Sequence, residues 1–373
     1  MESVARALAD ALVRGEPATA PPPHAPRRAF ALGDPQAPAS RVFANLARHG
    51  LLADDGWLAR DVELLSAGDH FDFDPRAHPG CDPSHDGRAV LAWLAAHSPA
   101  QVTILLGNHD VARVQEFSDA TDDRVAAMRA APDAQLPELP APGLVTRDYM
   151  SFTTAQRAQV QQLLLANRFS LGATATLAGR PVAITHAGVT TRELALLGLA
   201  GDAQPLAITR ALAAALDRAV AAVRDAWLAD RPAALDLAPL HVPGAKARDD
   251  AAVPEGGGLL YHRPNDPLRA VSPWEYDTAR PRRFDPRTLP RGLAQVAGHT
   301  NDPRCRRALA RWLAPELPPH ASLRTLSVTG DDVLYRAVVD PHAPTALILI
   351  DPEMHARAEV ELLGLDPGSL RRA

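Results

Sequence analysis

Five short polar clusters carry the side chains in this chain that could do chemistry. They are Asp34 and Gln36 in GDPQ, Asp69 and Asp72 in GDHFD, Asn108 and His109 in GNHD, His186 in HAG, and His299 in GHT. Together they offer carboxylate, carboxamide and imidazole donors and no thiolate, a mixture that suits manganese, iron or zinc better than a soft metal. One carboxylate shared by two cations, with further ligands on each side, is the usual build for metals about 3.5–4 Å apart. Asp69 is the natural bridging residue, because its cluster lies between the others in chain order. A Gly-Asp pair or a single His after a strand is common in turns. The signal here is that five such pieces follow one another, each at the end of an apolar run.

The elements that must position these clusters are legible as short runs. Arg28–Leu32, Asp61–Ala67, Val102–Leu106, Pro181–Thr185 and Ala294–Ala297 read as strands. Helices are expected over Ser40–His49, with Ser40 as N-cap and Gly50 as the stop, and over Gly87–His97. This β-α-β-α-β rhythm predicts an α/β sheet with a parallel portion, whose polar clusters emerge at one edge. Val111–Ala178 reads as mostly helical, broken by the Pro-rich loop Pro132–Pro142, and Thr191–Trp227 as a helical segment. Leu235–Arg291 reads as loop. Leu323–Val328, Val333–Val339 and Ala346–Ile350 suggest an antiparallel meander, and the tail from Asp351 a short helix with a frayed end. His70, His78, His85, Asp74 and Asp82 crowd the second loop and read as solvated. Asp110 reads as a local helix-start or loop residue.

The bulk properties exclude several classes. The chain has 373 residues, a net charge of −5 and 5% aromatic residues, which argues against a nucleic-acid or anionic-membrane partner. Two cysteines, Cys81 and Cys305, make neither a disulfide framework nor a cysteine zinc cluster. Residues 1–17 read as a charged amphipathic helix, not a signal peptide, and Pro17–Pro26 as a stiff linker. No apolar run reaches 18 residues, and the expected location is the cytoplasm. The sequence sets no oligomeric state.

The motif series GDPQ, GDHFD, GNHD, HAG and GHT resembles that of the calcineurin-like metallophosphoesterases, over about residues 28–305. The GHT ending is most similar to the phosphoprotein phosphatase and diadenosine-tetraphosphatase branch; cyclic-nucleotide phosphodiesterases usually end in GH-x-H. The resemblance implies two mixed β-sheets packed as a sandwich flanked by helices. It implies a single domain over residues 28–350, preceded by a helix and linker over 1–27 and followed by a tail over 351–373, with helical insertions at about 111–178 and 191–228. It implies that Asp34 and residue 36 hold a first divalent metal, that Asp69 bridges, and that Asn108, His186 and His299 hold a second. His109 would be the general acid that protonates the leaving oxygen, with Asp72 accepting its other ring N–H. That pairing is chemically sound by itself, since a carboxylate fixes the tautomer and keeps the imidazole protonated. The nucleophile would be a hydroxide held between the cations, attacking phosphorus in line.

Two positions depart from the family pattern. Gln36 stands where the family has His. Its amide oxygen either ligates the first metal, lowering first-site affinity or shifting preference toward manganese or magnesium, or hydrogen-bonds a bound water. Phe73 stands where phosphoprotein phosphatases carry a phosphate-gripping Arg. Arg263, in LLYHRP, is a candidate phosphate clamp or else a surface arginine in a loop, and His262 is a weaker substrate contact beside it. The expected activity is hydrolysis of phosphomonoester or phosphoanhydride bonds, in a phosphorylated small molecule or phosphoprotein. The alternative is a catalytically weakened sensor of a phosphorylated ligand.

Overall fold

The computed structural model describes residues 1–131, 136, 138–246, 255–269 and 279–372. Parts of the Pro-rich stretch 132–142 and of the loop-rich stretch 235–291 lie outside the described residues. The strands in chain order are β1 Arg28–Leu32, β2 Val62–Ser66, β3 Val102–Leu105, β4 Phe169–Ser170, β5 Gly172–Leu177, β6 Arg180–Thr185, β7 His241–Val242 and β8 Gly257–Gly258. They continue with β9 Arg263–Pro264, β10 Arg283–Phe284, β11 Ala294–Ala297, β12 Arg324–Thr329, β13 Asp332–Arg336, β14 Thr345–Leu349, β15 Leu363–Leu365 and β16 Arg371–Arg372. A five-stranded sheet has the order β15-β1-β2-β3-β4, and a seven-stranded sheet the order β13-β12-β14-β11-β6-β5-β16. Both are mixed. β1 to β4 run parallel with β15 antiparallel at the edge. In the larger sheet β6, β11 and β14 run parallel and the outer strands antiparallel.

The strands alternate their side chains with period two. Ala29, Ala31, Leu65 and Leu105 of the first sheet share one apolar cluster with Val182, Ile184, Val296, Ala346 and Ile348 of the second. The opposite face of the first sheet, through Leu32, Leu64, Val102 and Ile104, packs on helices. Those helices are α1 Glu2–Val13, α2 Ala39–Arg48 and α3 Pro83–Ala96. The opposite face of β14, through Leu347 and Leu349, joins a third cluster with Cys305 and Tyr335.

Several elements differ from the sequence expectation for physical reasons. Pro38, not Ser40, precedes α2, and Ser40 lies exposed within its first turn. α3 starts four residues early, because Asp82 caps it through Ser84 N–H and Pro83 is preset for the first turn. Within 111–178 the helices are α4 Asn108–Ala112, α5 Asp122–Ala130, α6 Pro142–Arg147 and α7 Thr154–Leu165, but Phe169–Leu177 is strand. The signal there is the alternation of Thr174 and Thr176 with buried Ala173, Ala175 and Leu177. The segment 191–227 divides into α8 Thr191–Leu196 and α9 Pro205–Leu228, with left-handed Gly198 ending the first and Pro205 opening the second.

The expected meander is also rearranged. β12 lies between β13 and β14, so the third strand returns beside the first. Every residue of TALIL is buried, which demands an interior strand, whereas DVLYR alternates and suits an edge. Among its described residues the tail contains no helix. Gly364 and the Asp366-Pro367-Gly368 turn interrupt it, and it supplies β15 to one sheet and β16 to the other.

Ile348 is 1% exposed between the two sheets, while Leu334 on the edge strand is 37% exposed. Ile348→Ala should lower unfolding free energy in urea by about 2–5 kcal/mol. Leu334→Ala should change it by less than about 0.5 kcal/mol. Equal costs would contradict the layer assignment.

Candidate metal centre

Six parallel strands, three from each sheet, end at this place. Asp34, Asp69 and Asn108 follow β1, β2 and β3; His186, His299 and Asp351 follow β6, β11 and β14. The chain must approach itself closely here. A side chain at Gly107 would overlap the backbone and carboxylate of Asp69, and one at Gly298 would overlap the Asp34 carboxylate. Asp69, Asp72 and His299 adopt left-handed backbone at φ 57°, 72° and 61°. For residues other than glycine this costs roughly 1–3 kcal/mol each, so the surroundings must hold it.

Asp110 does much of the holding. Its Oδ2 accepts the N–H groups of Gly107 at 2.9 Å and Asp69 at 3.0 Å, and its Oδ1 accepts the His70 N–H at 3.0 Å. The His70 ring sits 3.0 Å away at Nδ1 and reaches Ser66 Oγ through Nε2 at 2.9 Å. Asp110 is therefore more than a loop residue, and His70, expected in solvent, is buried. The others expected to be solvated have structural partners too. Asp82 caps α3, Asp74 caps a single helical turn at Pro75–Ala77, and His85 bonds Asp10.

Asp69, His186 and His299 each present a donor atom within 4.8 Å of one another. His186 Nδ1 donates to the Ala67 carbonyl at 2.8 Å, which turns Nε2 toward Asn108 Oδ1 at 3.2 Å and Asp69 Oδ1 at 3.4 Å. His299 Nε2 donates to the Tyr261 carbonyl at 2.8 Å, which leaves Nδ1 as its lone-pair atom. In neutral His186, a nitrogen lone pair faces two oxygen acceptors, an arrangement that calls for a positive charge between them. The electrostatics agree. Burial opposes charge on His186, yet the Asp69 carboxylate raises its pKa above the ordinary value. Burial, Arg263 and His186 hold His299 neutral, well below its ordinary value. Burial and the neighbouring Asp351 and Asp69 carboxylates push Asp34 well above the ordinary carboxylate range, while its oxygens accept the His299 N–H. These residues fit a hard or borderline divalent cation.

His109 and Asp72 form a pair beside this floor. His109 Nδ1 lies 2.9 Å from Asp72 Oδ2, and the ring is 16% exposed to the cavity. Asp72 also meets the Arg113 guanidinium at 2.6 Å and accepts from Ser151 N and Oγ at 3.0 and 2.7 Å. Burial opposes its charge, but Arg113 and His109 hold its pKa far below the usual range. For His109, burial is likewise outweighed by Asp69 and Asp72, so the imidazolium is favoured. Nδ1 is thus engaged by Asp72, which leaves Nε2 as the ring's other proton site.

The floor opens into a cavity of about 1140 Å³ lined by Asp34, Gln36, Asp69, Asn108, His109 and His299. Gln36 donates its amide nitrogen to the Phe71 carbonyl at 2.9 Å, which leaves Oε1 as its acceptor. Phe73 lines the wall, edge-on to His78. Arg263 lies on the wall, 8% exposed, over the Tyr261 ring. Arg263, Arg269, Arg304 and Arg307 all line the cavity, and none has a carboxylate partner among the described residues. His262 is turned away from it. Its Nε2 contacts the Gly188 carbonyl at 3.0 Å and its Nδ1 lies 3.9 Å from Glu193.

Arg113, Ser151 and Asp351 were not singled out from the sequence. Arg113 had a signal, because it lies four residues after His109, one helical turn on. Ser151 had none, and Asp351 had only its place after the apolar run Ala346–Ile350, with no motif beside it.

No protein-family model matches the sequence, and no curated protein matches it. Among solved structures, the chain is similar to a cold-active protein tyrosine phosphatase at 14% identity and a TM-score of 0.41, covering 95% of this chain and 80% of that one. It is also similar to the cold-active protein-tyrosine phosphatase of a psychrophilic Shewanella species at 14% identity and a TM-score of 0.38, covering 94% and 79%.

The Asp110 clamp is testable by stability. Asp110→Asn places an amide N–H₂ among backbone donors and should cost about 2–5 kcal/mol in urea unfolding. Asp61→Asn, at a half-exposed ion pair with Arg28, should cost less than about 1 kcal/mol. Equal, small effects would remove Asp110 from its organising role.

Proposed function

We propose that this chain is a binuclear metal-dependent phosphoesterase of the calcineurin-like kind, hydrolysing phosphomonoester or phosphoanhydride bonds. The observation that carries the reading is that four clusters of the motif series line one cavity floor, with His186 of the fifth buried against Asn108 and Asp69, next to a carboxylate-held imidazole that is open to the cavity. The family's sandwich of two mixed sheets belongs to the same proposal, supported by the apolar cluster the sheets share. So does the division into a domain over 28–350 with insertions at 111–178 and 191–228.

Asp34 and Gln36 would hold one cation, Asn108, His186 and His299 the other, and Asp69 would bridge. Manganese is favoured, because a carboxamide oxygen at position 36 is a harder and weaker donor than imidazole. Two such cations supply Lewis acidity and lower the pKa of water. The chain's own groups supply the rest. Asp72 orients His109 and keeps it protonated, so that the ring can give a proton from Nε2 to a departing oxygen. Arg113 and Ser151 hold Asp72 by three contacts, so the acid is set before substrate arrives. Arg263, desolvated and unpaired with any described carboxylate, suits a phosphoryl oxygen.

The purified chain with added Mn²⁺ should hydrolyse an aryl phosphate and lose that activity with a chelator. His109→Ala should lower kcat by about 10²–10⁴ without altering the circular dichroism spectrum. Full activity in that variant would overturn the general-acid role. One bound cation or none, with no turnover under any divalent metal, would favour the phospho-ligand sensor instead.

A further inference from the structure

We infer that Asp351 is an additional acidic ligand of the first cation position, held directly or through a water, and that it offsets the loss of imidazole at Gln36. The inference rests on the metalloenzyme reading above and adds a residue to it.

Topology brings Asp351 to the site. β14 runs parallel to β11, with Leu349 opposite Ala297. Two residues beyond that pair, the strands deliver Asp351 and His299 to the same edge of the sheet. The Asp351 backbone is pressed against GDPQ. A Cβ at Gly33 would collide with the Ile350 carbonyl and lie 2.9 Å from Pro352 Cδ. Asp34 and Asp351 therefore leave two touching stretches of chain, and both line the cavity together with Gln36.

The Asp351 side chain is unusually placed for a structural aspartate. It is 8% exposed, and one oxygen, Oδ1, accepts the Glu353 N–H at 3.0 Å. Oδ2 has no protein donor among the described residues, and no lysine or arginine pairs with the carboxylate. The guanidinium of Arg324 passes close by but binds carbonyls, including those of Asp351 and Thr300, both at 2.7 Å. Arg324 thus fixes the backbone and does not pair with the carboxylate. A buried carboxylate with an unused oxygen, lining the same cavity as a second carboxylate that no described lysine or arginine pairs, is costly unless a cation is shared between them. Gln36 is neutral, so Asp351 restores to the first position the donor strength that the substitution removes.

Titration of the metal-free full chain with Mn²⁺, followed by loss of the free-ion electron paramagnetic resonance signal, tests this without turnover. The unaltered chain should take up two equivalents. Asp351→Asn should keep one equivalent at its original affinity and weaken the other about tenfold or more. Gln36→His added to Asp351→Asn should recover most of that loss. If the amide variant does not fold, Asp351→Ser is read in the same way. Two equivalents of unchanged affinity in the Asp351 variant would overturn the inference alone. No Mn²⁺ uptake by the unaltered chain would overturn the metalloenzyme reading as well.

Discussion

The carboxylate of Asp110 joins the loops after β2 and β3 by accepting three backbone N–H groups, from Gly107, Asp69 and His70. Everything at the cavity floor depends on that bracket. It fixes the left-handed turn at Asp69, and Asp69 in turn accepts the His109 N–H at 2.8 Å. Burial disfavours the charge on Asp110, and the adjacent His70 outweighs that, so its pKa falls below the ordinary value. A charged acceptor between two loops is a strong and directional tie in a low-dielectric interior. The bracket itself touches no cavity residue except through the backbone. It is a positioning device for groups that face the cavity.

The charges are arranged in two tiers. The floor collects carboxylates: Asp34, Asp69 and Asp351, with Asp72 a step away, already neutralised by Arg113. The wall collects guanidinium groups, among them Arg263, whose charge is disfavoured by burial and by the nearby Arg304. An acidic floor suits cations, and a basic wall suits an anion lying over them. Part of the wall is paired already, since Arg147 and Arg282 meet Glu255, and a metal-bound phosphate would suit the acidic floor and the remaining guanidinium groups. The same layout explains why Phe73 can stand where a related site would have arginine. A guanidinium that could take that part is available here from β9, which carries Arg263.

The sequence was most legible where one residue type must serve one backbone geometry. The pairing of His109 with Asp72 was expected from the resemblance of the motif series, whereas the strand before each cluster and the glycine at Gly107 could be read in advance, because spacing and chemistry point the same way. β1 matches its expected bounds for that reason. Residues whose role comes from distant contacts were not legible. Asp110 is a helix-start residue as expected, in the first turn of α4, but its bonds to Asp69 and His70, and the burial of His70, appear only when β2 and β3 are set side by side. Asp351 follows an apolar strand like the others, but no glycine or histidine beside it marks it as a cluster. The tail was misread because Val360–Leu365 carries helix formers, while its place is decided by pairing with β1. The order of β12, β13 and β14 was likewise set by burial on both faces of β14, which local turn signals do not report.

The central claim is that two sheets bring their strand ends together to build one phosphate-binding metal centre. Anomalous diffraction at the manganese edge, from crystals soaked with Mn²⁺ and orthovanadate, tests it most directly. The account predicts two manganese peaks on the cavity floor, one among Asn108, His186 and His299 and one beside Asp34, with Asp69 between them and vanadate facing His109 and Arg263. Peaks confined to surface carboxylates, or vanadate bound away from His109, would contradict it.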